Sequence, residues 1–522
     1  MNDFRDRREY MRELISRRRL LVMGAAAGVG LAVQPNIAAL AQTPKKGGRL
    51  RIGMSQGGPT DTLDAHRVTN QADFARAFNL YDLLAWPNAE TFELEMRLAE
   101  SAEPNKAGDE WTVRLRKGVT FHNGKSLGAD DLMFTVRRMM DPQSKLSAAA
   151  MIAYVDAKGM TKLDDRTVRF KLPKPNAEFL SGFATTTSSI VPADFDPANP
   201  VGTGPFKYKS FTPGDRSLFV ANTSFWGGGP FVDELEIIDI ADETARVNAL
   251  LGGQVDAIAS IPYTRIATVE GDASFKLLRS ETGGWRPFTM RTDAPPFDNP
   301  KVREAMRLVV DREQMVEQAL LGEGRVGNDL YNPFDPDFAK DLPQRKQDIE
   351  RAKALLKEAG HDTLDIELVT APVNAGVVEA SQVLVEQAKA AGINIKLRKL
   401  DPSSFFGPDY LKYTFAVDNW SPTNSYLVQV AQADGPGAVY NETHFNDPEF
   451  NDLFSKAQQE VDAAKRKELI QKMQKIQYER GGYIIWGFAN QIDAYSSKLA
   501  GFRPDRNGLP LTSFEFERVF FT

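Results

Sequence analysis

Trp111 to Leu132 reads WTVRLRKGVTFHNGKSLGADDL. Its first residues alternate, with Trp111, Val113 and Leu115 apolar and polar residues between them, the pattern of a half-buried strand. Lys117-Gly118 supplies a turn that needs glycine. Phe121-His122-Asn123-Gly124-Lys125 then leads to Ala129-Asp130-Asp131, an acid-rich first helical turn.

The same alternation of strands and helices continues outward. Leu50 to Met54 alternates as a first strand, and Val168, Phe170 and Leu172 share one face of another. Val201-Gly202-Thr203-Gly204-Pro205-Phe206 is a glycine-rich strand entry; no Lys-Ser/Thr follows, so it is not a phosphate loop. Asp298-Asn299-Pro300 caps a helix with Val302, Ala305, Met306 and Val309 at helical spacing. Asp348 to Ala359 repeats that logic and stops at Gly360. Leu364, Ile366 and Leu368 then alternate, Val377 to Ala391 reads as a helix closed by Gly392, and Ile393, Ile395 and Leu397 alternate again. That is a βαβ unit, which requires parallel pairing. Glu460 to Arg480 reads as a charged amphipathic helix, followed by an aromatic strand over Tyr483–Phe488.

With 522 residues the chain is too long for one core and should divide into two or three domains. It has no cysteine, which excludes disulfides, thiolate metal sites and thiol catalysis, and its four histidines (His66, His122, His361, His444) are scattered. The first 41 residues carry seven Arg against four acids; the remainder is acidic, with a net charge of −9, which argues against nucleic acid and anionic membranes as partners. Ser16-Arg17-Arg18-Arg19-Leu20-Leu21, a short apolar run to Val33 and Ala39-Leu40-Ala41 have the architecture of an export signal, cleaved after Ala41. The paired arginines resemble a twin-arginine signal, with a general secretion signal as the alternative. The apolar run is too short to span a bilayer.

Six stretches resemble, in order, the signatures of the extracytoplasmic solute-binding proteins of peptide-type ABC importers, family 5. They are Trp111–Leu132, Val201–Phe206, Leu250–Asp256, Pro296–Arg312, Asp348–Gly360 and Phe445–Phe450. The resemblance implies an α/β, bilobal periplasmic-binding-protein fold of the large three-domain variety, with mixed sheets and a hinge between lobes. It places the first lobe at 42–82, 200–283 and 489–522, a domain inserted into that lobe at 83–199, and the second lobe at 284–488. Such a protein captures a small solute by hinge closure and delivers it to membrane permease subunits that work with a cytoplasmic ATPase. It is a periplasmic monomer and needs no cofactor, metal or covalent chemistry. The competing classes are a secreted hydrolase, against which the absence of a nucleophile motif counts, and a periplasmic chaperone using the same cleft.

Tyr413 to Tyr426 is the chemically richest segment, a strand emptying into a polar and aromatic loop. In the family a Trp here packs on the ligand and a downstream Asp takes a peptide's α-ammonium. Trp420 matches the Trp, but Thr423 stands where the acid is expected, and Asp418 is the acid nearby. An opine, a sugar conjugate or a modified peptide therefore competes with a plain dipeptide as the solute. The candidate ligand residues are Trp420, Asp418, Asn419, Asn424, Tyr426, Trp285, Arg286 and Gln56. For Trp420 core packing stays open, for Asp418 a loop cap, and for Arg286 an ion pair across the lobes. Gly283-Gly284 should act as a hinge that lets Trp285 and Arg286 face the cleft, and Gln56 should line the first lobe's rim.

Overall fold

A computed structural model describes residues 44–146 and 148–522; the export signal proposed for residues 1–41 lies outside them. Among the described residues no helix is long and apolar enough to cross a membrane.

The fold is built on one mixed sheet of eleven strands. In chain order they are β1 (Arg49–Met54), β2 (Phe206–Thr212), β3 (Arg216–Ala221), β4 (Glu234–Asp239), β5 (Ala257–Ile258), β6 (Phe275–Met290), β7 (Gly324–Val326), β8 (Leu364–Thr370), β9 (Ile393–Lys399), β10 (Phe415–Val417) and β11 (Tyr483–Ser496). Across the sheet the order is β9-β8-β10-β6-β11-β5-β1-β4-β3-β2, with β7 paired to β11. The βαβ reading holds: β8 and β9 pair in parallel, joined by a helix over Val377–Lys389.

Two strands outrun their neighbours. β6 and β11 run antiparallel from one half of the sheet into the other, so they are the continuous backbone between the two lobes. Their register shifts between Glu281 and Trp285, and again between Trp285 and Pro287, whose ring nitrogen has no proton to donate. Sequence reading ended the aromatic strand at Phe488; it runs on to Ser496, because Ile492 and Ala494 are buried in the next core.

The stretch that opens the sequence argument forms a separate four-stranded sheet. Glu110–Leu115 pairs on one side with Ala99–Pro104 and on the other with Thr167–Lys171. Trp111, Val113 and Leu115 face inward, and the Trp111 ring stacks on Phe179 at 5.1 Å. The following turn fixes Gly118 at φ 79°. His122 then ties this sheet to the glycine-rich entry of β2: its Nδ1 accepts from the Gly202 amide at 3.3 Å and its Nε2 donates to the Gly204 carbonyl at 3.0 Å. Burial holds that imidazole neutral, pushing its pKa down to about 4. Gly202 sits so close to the end of the Gln71–Leu80 helix that a Cβ would lie 1.9 Å from the Leu80 carbonyl oxygen.

Cores follow the same division. One gathers Leu84 to Trp226 around the small sheet, one gathers Leu50, Ile52, Phe206, Leu235 and Phe516, and a large one gathers Phe288, Met306, Leu355, Leu384, Ile395 and Trp486.

Candidate ligand-binding site

At Trp285 the two lobes, the register shift and the richest loop meet. The backbone of Trp285 exchanges two hydrogen bonds of 3.0 Å with Trp420, so the loop after β10 is fastened to β6 at the crossover. Above that bridge the indoles stack with centroids 5.4 Å apart and planes within 6°. Tyr331 stacks on the other face of Trp285 at 5.3 Å and Tyr426 stacks on Tyr331 at 5.3 Å, giving a four-ring column, with Tyr483 edge-on to Trp285. Trp285 and Tyr426 are fully buried. The expectation that flanking glycines would turn Trp285 to the cleft is therefore corrected: its indole belongs to the column's interior. Trp420 caps the column, is half-buried, and meets Tyr440 edge-on at 6.0 Å.

The indole of Trp420 is tethered. Its Nε1 donates to Glu442 Oε1 at 2.9 Å, and Glu442 Oε2 accepts from the Tyr483 hydroxyl at 2.5 Å. Tyr410 donates to Asp418 Oδ2 at 2.9 Å and lies 3.4 Å from Glu442 Oε1. Two buried carboxyls thus share one knot of donors. Burial, aided by the charge of Asp418, holds Glu442 well above the ordinary carboxylate range, and burial pushes Asp418 up to about 6. Sequence reading took Asp418 as the acid beside the Trp and missed Glu442. It lies 22 residues downstream of Trp420, and nothing in Asn441-Glu442-Thr443-His444 marks it as a partner. Both acids are spent on internal donors, so neither is a free counter-ion for an ammonium. Thr423, in the position where the family carries an acid, donates to the Ser425 carbonyl and accepts from Asn332.

The remaining candidates spread outward. Asn419 Oδ1 accepts from Asn374 at 3.4 Å. Asn424 reaches across to the small-sheet domain, where its Nδ2 donates to the carbonyls of Ser181 at 2.8 Å and Ala184 at 3.2 Å. Gln56 is exposed at the carboxyl end of β1, at φ 65°, and among the described residues it shares no ring contact or hydrogen bond with the column. Arg286 points away from the column: its Nε donates to the Ala375 carbonyl at 3.4 Å, and Tyr263 lies nearby. His444 is engaged by Asp293 and the Leu411 carbonyl.

Two long strands thus cross the sheet at an aromatic column flanked by polar side chains. The family model for bacterial extracellular solute-binding proteins, family 5 (Middle), matches residues 93–434. The chain belongs to this family. Among family relatives, the di/tripeptide-binding protein 2 of Pseudomonas aeruginosa is 26% identical, with 96% of this chain and 98% of the relative covered. The oligopeptide-binding protein AppA of Bacillus subtilis is 28% identical, covering 72% of this chain and 74% of the relative. Among solved structures, AgaA from A. tumefaciens R10, in complex with agropinic acid, matches with a TM-score of 0.75 at 26% identity, covering 91% of this chain and 99% of that one. CtaP from Listeria monocytogenes, at 22% identity, gives a TM-score of 0.81 and covers 92% and 100%. The bilobal, multi-domain α/β fold of family 5 is therefore this chain's fold, as its sequence signatures imply.

Proposed function

We propose that this protein is the periplasmic substrate-binding subunit of a peptide-type ABC importer, exported through residues 1–41 and acting without covalent chemistry. It closes on a peptide or peptide-like solute and presents the closed form to the permease. The moving bodies in this reading are 42–82, 200–283 and 489–522 with the inserted 83–199 on one side, and 284–488 on the other. β6 and β11 bend at the register shifts near Trp285. The observation that carries the reading is the placement of the Trp420-capped column at that crossing, beside polar groups from both lobes. A flat, half-buried indole with its edge fixed by Glu442 gives a ligand one rigid apolar wall.

An opine-like solute is the second reading. It is favoured by the occupation of Asp418 and Glu442 with internal hydrogen bonds, which leaves a free peptide ammonium without its family anchor, and by the likeness to AgaA.

Native mass spectrometry of protein purified from its source tests both, since a slowly released solute travels with its receptor. Adding that solute back to stripped protein should raise the melting temperature and shrink the radius of gyration in solution scattering. Binding with neither change would refute hinge closure. Turnover of the solute would return the hydrolase reading, and weak binding to any unfolded chain would return the chaperone reading.

A further inference from the structure

Seven arginines are buried among the described residues; three are paired with carboxylates and three more are held by several backbone carbonyls each. Arg76 pairs with Asp61, Asp73 and Asp239, Arg97 with Asp82, and Arg312 with Asp329. Arg246, Arg303 and Arg307 each fork onto several backbone carbonyls that converge on the guanidinium. The seventh is Arg286. It is 9% exposed, no carboxylate among the described residues pairs with it, and its one hydrogen bond to protein is the long contact from Nε to Ala375. Both terminal amines, the two that form a fork toward a planar anion, have no acceptor among the described residues.

No acid in its surroundings pairs with it; the acid in the first turn of the neighbouring helix, Glu379, is exposed to solvent. Ala375 precedes the helix Val377–Lys389, whose first turn carries no side-chain cap because Gly376 occupies the capping position. The positive end of that helix and the guanidinium thus lie side by side. Tyr263 stands on the opposite lobe, its hydroxyl donating to the Asn490 carbonyl at 3.1 Å. Glu323, whose charge also reaches Tyr263, is held by Arg279 at 2.9 Å. Burial pushes the guanidinium below its ordinary pKa, as it does for Arg246, Arg303 and Arg307, but those three have converging carbonyls and Arg286 has a single long contact. An ion pair across the closed lobes, one of the two roles open from sequence, has no acid on the far side to make it.

We propose that Arg286 is the seat of a carboxylate on the transported solute, gripped between the guanidinium fork and the amino end of the Val377–Lys389 helix at the crossover of the lobes. The inference rests on the receptor reading and narrows its solute class to acids: the anion neutralises the buried cation only when the lobes enclose both. Removing the fork should therefore affect acids and spare their neutral analogues.

The test uses the full mature chain stripped of solute by unfolding and refolding. Acetate and succinate, each compared with chloride at equal ionic strength and with acetamide, serve as probes of the seat itself. Carboxylates should raise the wild-type melting temperature above the chloride and acetamide controls. In Arg286→Gln and Arg286→Met that increment should vanish, while the empty variants melt no lower than wild type because an unmatched buried charge is gone. The solute identified by native mass spectrometry should carry a carboxylate and bind Arg286→Gln at least thirtyfold more weakly. The proposal is overturned if both variants unfold or lose several degrees when empty, if the carboxylate increment survives in them, or if the retained solute is neutral and binds both proteins alike. A carboxylate increment that depends on Arg286 in a protein that retains no solute and never compacts would refute the receptor reading while leaving the anion seat standing.

Discussion

Replacing Trp420 with alanine separates a ligand wall from a structural capstone, and the proposed function requires the residue to be both. The stack on Trp285 contributes about 1 kcal/mol beyond the area it covers. The bond from Nε1 to Glu442 adds about 1 kcal/mol, and its loss strips a donor from a buried carboxyl. The indole is half-buried, so the apolar area uncovered amounts to about 1–2 kcal/mol. Trp420→Ala should therefore destabilise the empty protein by about 3 kcal/mol, a drop in melting temperature of roughly 6–12 °C for a folding unit of roughly 200 residues. Trp420→Phe keeps the stack and forfeits the donor, and should lose about 1 kcal/mol. Circular dichroism melts of empty wild type, Trp420→Phe and Trp420→Ala give this series. Calorimetric titration with the retained solute then gives the binding loss, on the order of 2 kcal/mol for Trp420→Ala. A Trp420→Ala protein that melts within 2 °C of wild type would refute the argument, because it would show that the indole supports nothing beneath it.

Three further outcomes are expected. Buried acids with raised pKa values, about 6 for Asp418, Asp493 and Asp505 and about 7 for Asp335 and Asp434, bind protons more tightly folded than unfolded. Stability should therefore fall as pH rises from about 4 to 7, by at most about 1.4 kcal/mol per pH unit for each group. Glu442→Gln should flatten that fall in denaturant titrations, and an unchanged slope would remove the Glu442–Asp418 pair as a contributor. Gly202→Ala forces a Cβ to 1.9 Å from the Leu80 carbonyl oxygen and 2.7 Å from the buried Tyr81 ring, so it should yield insoluble protein or lose about 3 kcal/mol or more; Gly58→Ala, with open space around it, is the control and should stay within about 0.5 kcal/mol of wild type. Asn424→Ala removes two bonds to the Ser181 and Ala184 carbonyls, which in the proposed function form on closure. It should weaken solute binding by about five- to thirtyfold and enlarge the radius of gyration of the liganded protein, with little effect on the empty protein's melting; affinity within twofold of wild type would mean that Asn424 plays no part in closure.

The legible parts of this chain were those set by local rules. Alternation at Trp111, Val113 and Leu115 placed the small sheet, and Asn299, Asp348 and Gly392 marked helix boundaries because capping and left-handed geometry are decided within a few residues. The reach of β11 to Ser496 was not legible, since its second half is held by strands from the far lobe and no local pattern announces them. The site divides in the same way. The loop after Phe415–Val417 declared itself by composition, and Asn424 donates to the Ser181 and Ala184 carbonyls beside the small sheet. Glu442 was invisible because its partnership with Trp420 is made entirely by tertiary folding.

Trp285 and Arg286 carry the lesson furthest, because as neighbours in sequence they received one expectation and met opposite fates. Adjacent residues on a strand project to opposite faces. On β6 that rule sends the Trp285 indole into the ring column and the Arg286 guanidinium toward Tyr263 and the Val377–Lys389 helix. The apolar side is packed into the ring column, with only the Trp285 Nε1 left without an acceptor among the described residues, whereas the charged side is left with two amines and no acid. A buried cation is tolerated where carbonyls converge on it, as at Arg246, Arg303 and Arg307, or where an anion supplies the counter-charge. At the crossing of the two long strands, the proposed seat at Arg286 would make an acid on the solute part of what holds the lobes shut.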